Sequence, residues 1–145
     1  MVACSVKHSI WVVLLCAAVI GSACSVPNLE KPECTAARDT VKRFYSFHFD
    51  NHGTGPDQVL PEHLTFLTPR LVGEIASLTA RKRDYFTDTE DFPKAFRVGT
   101  CKADGDTVTL QVLLLWRDDQ ASKQEEVKVQ TVKSGDSWLI DKVSK

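Results

Sequence analysis

The pattern of apolar and polar residues divides the chain into a helical first part and an alternating second part. Residues 35–49 carry apolar side chains at helical spacing, with Thr35 placed as the N-cap. Turn-forming residues fill 50–57 and end this helix. After a short helical turn within 59–67, the stretch 68–84 opens on threonine and proline, which marks the start of a second helix. The pattern therefore predicts two helices ahead of any strand.

The second part of the chain alternates apolar and polar residues, which is typical of β-strands with one buried face. We predict four strands, at residues 96–100, 107–117, 125–132 and 138–143, joined by turns. In the first strand, one face is expected to carry Phe96, Val98 and Thr100. This order predicts an α+β fold, with two N-terminal helices packed on one face of a curved four-stranded antiparallel sheet.

The strand at 107–117 is the longest and carries apolar residues on both faces. Alternate positions from Val108 to Trp116 form one apolar face, and Leu113 and Leu115 lie on the other. A strand of this kind is expected at the centre of a sheet, partly covered on both sides. Its second face would suit a ligand pocket, a packed helix or the seam of a homodimer.

Three segments of the chain resemble a known family. They are Val41–Tyr45, Leu67–Leu71 and Trp138–Val143. Together with the order of the elements, they are similar to uncharacterised bacterial lipoprotein domains with a cystatin-like, nuclear transport factor two-like cone fold. The resemblance covers roughly residues 35–143. Proteins of this fold include isomerases, dehydratases, immunity proteins and binding modules, so the resemblance implies the fold more than the activity.

The start of the chain has the three regions of a secretory signal peptide. Lys7 supplies the charge, residues 10–20 are an unbroken apolar run, and residues 21–23 are small. The apolar part is shorter than the ~20 residues of a membrane span, which favours cleavage over an uncleaved anchor. The segment ending at Cys24 resembles a bacterial lipobox, although glycine stands where leucine is usual. We therefore expect lipid attachment at Cys24, with ordinary cleavage near Ala23 as the competing prediction.

The cysteine count supports lipid attachment. Of five cysteines, two lie within residues 1–23 and leave with the signal peptide, so that Cys24, Cys34 and Cys101 remain. Lipid on Cys24 would leave an even pair. Cys34 and Cys101 then become candidates for one disulfide, with two separately buried thiols as the alternative.

The composition fits one folded domain after the signal peptide. The chain has 145 residues, of which 43% are hydrophobic and 26% charged, as in ordinary globular proteins. We divide it into a signal peptide (1–23), a lipid-attachment cysteine and tether (24–33) and a single α+β domain (34–145). The formal net charge of −1 gives no electrostatic footprint for DNA or RNA, so no nucleic-acid partner is expected.

Two histidines at the end of the first helix have the spacing of zinc ligands. His48 and His52 lie four residues apart, which puts two imidazoles on one helix face. However, Phe49 occupies the place of a zincin's catalytic glutamate, and His52 falls in the predicted turn. His63 could join them only through a contact made by the fold. We therefore predict no metal site.

The connection between the second helix and the sheet is rich in carboxylates. It lacks the alternating acidic pattern and central glycine of a calcium-binding EF-hand loop, so a solvated loop is expected there. The carboxylates belong to Asp84, Asp88, Glu90 and Asp91.

The resemblance to cone-fold enzymes implies a pocket that can hold an acid–base pair. The candidate pocket residues are Tyr45, Tyr85, Asp88 and Asp91. The sequence contains no nucleophile elbow and no phosphate-binding glycine loop. We therefore assign no catalytic residue and no cofactor, and an enzyme stays open as the less favoured class.

These features predict an exported cell-envelope protein that a lipid anchors to the membrane, facing the periplasm or the cell exterior. We expect a non-enzymatic binding or interaction module whose partner is an envelope protein or a small ligand. Two alternatives stay open: a small-molecule-binding or acid–base enzyme that uses the cone pocket, and an immunity or inhibitor protein. The inhibitor class rests on shape alone, because the Gln-x-Val-x-Gly loop of cystatins is missing.

Overall fold

The structure, a computed structural model, describes residues 29–51, 61–78, 82–117 and 121–145. These residues form an α+β fold with a four-stranded antiparallel sheet. The predicted α+β class and the four-stranded sheet are confirmed. The elements are α1 (Pro32–Asp50), a 3₁₀ helix (Pro61–Phe66), α2 (Pro69–Ser77), β1 (Ala95–Asp104), β2 (Thr107–Arg117), β3 (Ser122–Ser134) and β4 (Ser137–Ser144).

The N-terminal features predicted from the sequence lie outside the described residues. Residues 1–28 include the predicted signal peptide, Cys24 and half of the tether, and His52 is also outside. Within the described ranges, no helix is both long and apolar enough to cross a membrane. The prediction of export therefore rests on the sequence.

The first helix, α1, begins earlier than predicted. Pro32 occupies its first turn, and Glu33 places a carboxylate at the positive end of the helix, both of which favour a start there. Thr35 therefore lies inside the helix instead of capping it, and its hydroxyl donates to the carbonyl of Lys31. The helix also includes the end of the predicted tether (24–33). Its buried residues are Cys34, Ala37, Thr40, Val41, Phe44, Tyr45 and His48.

The second helix, α2, begins as predicted and ends early. Thr68 caps it, because its hydroxyl accepts from the N–H of Leu71 at 3.2 Å while donating to Oδ1 of Asp141 at 2.7 Å. The prediction of a helix to about Asp84 is wrong, since α2 ends at Ser77. The carboxylate of Asp84 instead accepts two backbone N–H groups in a turn, and such acceptance competes with helix formation.

The four strands form a meander in the order β1-β2-β3-β4. Gly105 and Gly135 complete the β1–β2 and β3–β4 turns with φ of +57° and +59°, a conformation that glycine adopts without strain. The inner residues of β2 are buried in strict alternation, as predicted. Leu113 and Leu115 on its outer face are half-buried, as expected of a strand inside the sheet.

A β-bulge changes which residues of β1 face the core. The register of β1 against β2 shifts between Val98 and Cys101. Cys101 is therefore opposite the buried Leu110, and Thr100 turns outward, where its hydroxyl donates to the side chain of Gln111. For this reason, the prediction that Thr100 shares the inner face of Val98 is wrong.

A disulfide joins the start of α1 to this bulge. The Cα atoms of Cys34 and Cys101 are 6.0 Å apart, so the predicted pair lies at disulfide distance. Arg38, one turn further along α1, donates to the carbonyls of Val98 and Gly99. Because β1 is an edge strand, these contacts supply donors to a part of the sheet that has no neighbouring strand.

Replacing both cysteines by serine should lower the free energy of unfolding by about 2–5 kcal/mol, because the bond spans 67 sequence positions and restricts the unfolded chain. Urea unfolding of wild type and of Cys34→Ser/Cys101→Ser measures this difference. In the folded wild type, both thiols should react with an alkylating agent only after reduction. Alkylation of both without reductant would contradict the bridge.

Candidate functional site

Three titratable side chains meet beneath α1 in the interior. Nε2 of His48 lies 3.0 Å from Oδ2 of Asp84, and Nδ1 of His48 lies 3.2 Å from Nε2 of His63. The exposed fractions are 7% for His48, 2% for His63 and 6% for Asp84. The imidazole of His48 therefore stands between a carboxylate and a second imidazole. We call these three residues the buried polar cluster.

Each member of the buried polar cluster comes from a different part of the chain. His48 lies on the buried face of α1, and His63 belongs to the 3₁₀ helix. Asp84 lies in the irregular segment before β1, where its Oδ1 accepts the backbone N–H groups of Phe86 and Thr87, each at 2.8 Å. One carboxylate oxygen thus shapes this segment while the other faces His48.

Aromatic rings enclose the buried polar cluster. Phe44 stacks on His48 with ring centroids 5.7 Å apart, and Phe86 stacks on His63 at 6.1 Å. The ring of Phe92 lies 5.6 Å from that of His48. In such an apolar surrounding, paired polar groups interact strongly and an unpaired one is costly.

The contacts assign the ring protons of the two histidines. A carboxylate only accepts, so Nε2 of His48 carries a proton on the side of Asp84, although this N–H is not aligned for a hydrogen bond. In neutral His48, Nδ1 then accepts from Nε2–H of His63.

Asp84 is held as a carboxylate, and the nearby Tyr45 is held as a phenol. Burial raises the pKa of Asp84, but contact with His48 and the backbone N–H of Thr87 outweighs burial, so the pKa lies below its ordinary value of 3.8. Burial and the charge of Asp84 raise the pKa of Tyr45 well above its ordinary value. The Tyr45 hydroxyl donates to the carbonyl of Phe86 at 2.7 Å, which makes this candidate pocket residue part of the packed interior.

Two further candidate pocket residues are engaged near the surface. The hydroxyl of Tyr85 donates to Oε1 of Glu74 at 3.0 Å. The carboxylate of Asp88 forms ion pairs with Arg83 at 3.7 Å and Lys145 at 3.5 Å. Neither side chain contributes to the buried polar cluster.

The acidic connection contains both buried and exposed carboxylates. Asp84 is buried, so the expectation of a solvated loop is wrong for this residue. Glu90 and Asp91 are exposed, as expected of a solvated loop. The backbone carbonyl of Asp91 accepts from Nε1 of Trp116 at 3.0 Å. The structure therefore does not gather the four candidate pocket residues around one cavity.

The buried polar cluster lacks the geometry of a metal centre. A shared ion needs donors that converge on one point, yet His48 turns opposite ring nitrogens toward Asp84 and His63. Among the residues that the structure describes, one set of three ligand-type side chains has donor atoms within 4.8 Å of one another. It consists of Glu30, Cys34 and Cys101, and the disulfide occupies both of its sulfurs.

Surface cavities border α1. One of about 460 Å³ is lined by Phe49, Asp50, Asp91, Phe92, Pro93 and Lys94. Another of about 400 Å³ lies between α1 and β1 and is lined by Lys42, Ser46, Phe96, Arg97 and Val98. Neither cavity is lined by a member of the buried polar cluster, so a ligand in either cavity would not contact the imidazoles of that cluster.

The contact between His48 and Asp84 is absent from the sequence-based predictions. The available signal was the position of His48 among the apolar residues of α1, because a buried imidazole needs a polar partner. That signal indicates burial without identifying the partner. The sequence relates His63 to His48 only through zinc binding. In the structure, the two residues meet instead through the contact between Nδ1 of His48 and Nε2 of His63.

Comparison with solved structures finds a fold-level likeness. A crystal structure of a protein of unknown function from Bacteroides thetaiotaomicron has a TM-score of 0.52 and 16% sequence identity, covering 77% of this chain and 91% of that chain. No protein-family model and no curated protein matches the sequence. At this identity, the likeness shows a similar fold alone.

Replacing Asp84 by asparagine should lower the free energy of unfolding by about 2–4 kcal/mol near neutral pH, because it replaces the buried carboxylate that faces Nε2–H of His48 and keeps the acceptor for the loop. The folded-state pKa is depressed, so this stability is present above the ordinary pKa of 3.8 and is lost as pH falls through the folded value. The gap between wild type and Asp84→Asn should therefore shrink on acidification. Urea unfolding at neutral and acidic pH measures it.

The matched control for this variant is Asp88→Asn. Asp88 has a φ of +53°, which asparagine tolerates well, and its ion pairs are partly exposed. The control should change the free energy of unfolding by less than about 0.5 kcal/mol. Equal losses in the two variants, or a gap that does not depend on pH, would contradict the assigned role of Asp84.

Proposed function

We propose that this chain is an exported, lipid-anchored cell-envelope protein that acts as a non-enzymatic binding or interaction module. The observation that carries the proposal is the filling of the interior by aromatic side chains. A binding module needs only a surface, whereas an enzyme of the cone fold implied by the resemblance needs an open pocket between helix and sheet.

Rings from α1 pack directly against rings from β1 and the segment before it. The centroid of Phe44 lies 4.6 Å from that of Phe86, and the centroids of Tyr45 and Phe49 lie 5.5 Å and 5.0 Å from that of Phe96. Phe44 and Tyr45 are completely buried. A substrate would have to displace this packing, which supports a role for the outer surface.

The buried polar cluster favours the alternative of an acid–base enzyme, because a carboxylate beside an imidazole is a common way to orient a general base. Its enclosure weighs against that alternative. Both nitrogens of His48 face protein groups, and stacked phenylalanine rings flank both imidazoles. The cluster is better explained as a set of internal contacts that fixes three segments of the chain.

Export and lipid attachment are supported by the start of the chain and by its cysteines. Residues 1–23 have the pattern of a signal peptide, and Cys24 follows three small residues. The pairing of Cys34 with Cys101 fits an oxidising compartment, where disulfides persist. Lipid on Cys24 leaves no unpaired cysteine in the mature chain.

We assign the fold to the cystatin-like, nuclear transport factor two-like cone as part of the same proposal. The order of helices and strands supports this assignment, as does the packing of α1 against β1, β2 and β4. The three resembling segments supply positions of this packing, including the buried Val41, Phe44, Leu71 and Ile140.

Lipid attachment predicts that a fatty acid fed to the producing cells labels the wild-type protein through Cys24. The Cys24→Ser variant should carry no label. A Cys16→Ser variant is the control, because this cysteine lies in the part removed with the signal peptide. Equal labelling of wild type and Cys24→Ser would contradict the anchor.

The proposed binding function predicts that substitutions on the outer face of the sheet reduce function more than substitutions of the candidate pocket residues. In a deletion strain with a measurable phenotype, Tyr85→Phe, Asp88→Asn and Asp91→Asn should each restore wild-type behaviour. Leu113→Asp should fail to do so, because it adds a charge to the half-buried outer face of β2. Thermal melting must first establish that each variant folds. Loss of function in a folded Asp88 or Asp91 variant, together with a functional Leu113→Asp, would favour an enzyme.

A further inference from the structure

The outer face of the sheet is basic although the whole chain has a formal net charge of −1. Strand register places five cations on this face, distributed over all four strands. In the described strands, Asp104 and Glu126 are the carboxylates that share the face. The five cations, which we call the outer basic face, are Arg97, Lys102, Arg117, Lys128 and Lys142.

The charges of the outer basic face are available to a partner. All five side chains are exposed. None forms an ion pair with any residue in the described ranges, whereas cations elsewhere do, including Arg38 with Glu30 and Arg70 with Asp141. Within the described ranges, these charges are left to the surrounding solvent ions, and release of such ions favours an anionic partner.

The spacing of the cations on the outer basic face suits an extended anionic surface better than a compact protein partner. Lys102 and Lys142 stand at the two ends of one row across the sheet, with Thr109 and Gln130 between them. With strands about 4.8 Å apart, this row is about 14 Å long. Lys128 belongs to the adjacent row.

Aromatic side chains of the sheet lie on its other face. Phe96, Trp116 and Trp138 occupy the register positions of the inner face, and both tryptophans are buried. Protein–protein interfaces commonly depend on exposed tryptophan, tyrosine and arginine anchors. In the described strands, the outward positions carry no aromatic side chain, and the cations lie among threonine, glutamine and leucine side chains.

The predicted tether would bring this face close to a membrane. Eight residue steps separate Cys24 from Pro32, the first residue of α1, which limits their distance to about 28 Å. The disulfide holds the same end of α1 to Cys101, the neighbour of Lys102 in β1. A lipid at Cys24 would thus lie near one end of the basic row.

We propose that the outer basic face binds an anionic lipid surface and holds the tethered domain against the membrane that anchors it. The inference rests on the proposed lipid anchor and names the partner of the proposed binding module. Basic residues near an anionic bilayer each add to its attraction for the protein, and a lipid chain with a basic patch is a stable combination.

Vesicle co-sedimentation tests this inference on the chain from residue 24 onward carrying Cys24→Ser, which includes the whole described fold and no lipid. The wild-type face should bind phosphatidylcholine vesicles that contain phosphatidylglycerol, and high salt should release it. Lys102→Glu/Lys128→Glu/Lys142→Glu should weaken binding at least about tenfold. The matched control, Lys31→Glu/Lys42→Glu/Lys82→Glu, reverses three exposed lysines off the face and should weaken binding far less.

The glutamine version of the face triple variant, Lys102→Gln/Lys128→Gln/Lys142→Gln, serves if the glutamate version does not fold. Equal binding by wild type and the face variant would overturn the inference, as would equal losses in the face and control variants. Binding to polyglutamate without binding to phosphatidylglycerol vesicles would overturn it in favour of an acidic protein partner. A negative result would leave fatty-acid labelling at Cys24 unaffected, so the two proposals fail separately.

Discussion

A buried carboxylate fixes the conformation of the segment on which much of the interior depends. Oδ1 of Asp84 holds the turn that follows it, and Oδ2 faces the imidazole of His48 in α1. This turn places Phe86 against Phe44, and the carbonyl of Phe86 receives the hydroxyl of Tyr45. Removing either partner would leave the other polar group unpaired in an apolar surrounding, so the contact constrains more than its own two side chains.

The packed interior and the outer face of the sheet differ in the chemical groups that they offer to a ligand. The side chains of His48, His63 and Asp84 could act on a substrate, but they contact one another and flanking aromatic rings enclose them. The opposite face of the sheet carries exposed cations that form no ion pair with any residue of the described ranges. We therefore distinguish a packed inner face, which stabilises the fold, from an outer face, which we propose as the binding surface.

Strand alternation and cysteine counting predicted the parts of the fold that depend on local sequence. The bounds of β2 and the pairing of Cys34 with Cys101 follow from patterns visible in the chain. The turn at residues 84–87 and the outward position of Thr100 depend on a side-chain acceptor and on a register shift, which periodicity does not encode. The outer basic face required the register of three strand pairs, since charges far apart in sequence meet only through that register.

A double-mutant cycle on His48 and Asp84 tests the central claim that their contact stabilises the packed interior. His48→Phe, Asp84→Asn and the combined variant would be compared with wild type by urea unfolding at neutral pH. The account predicts that the combined variant loses at least about 1 kcal/mol less than the two single losses added together, because each single variant leaves a buried partner unpaired. Losses that add within about 0.3–0.5 kcal/mol would mean that the two side chains act independently and would contradict the account.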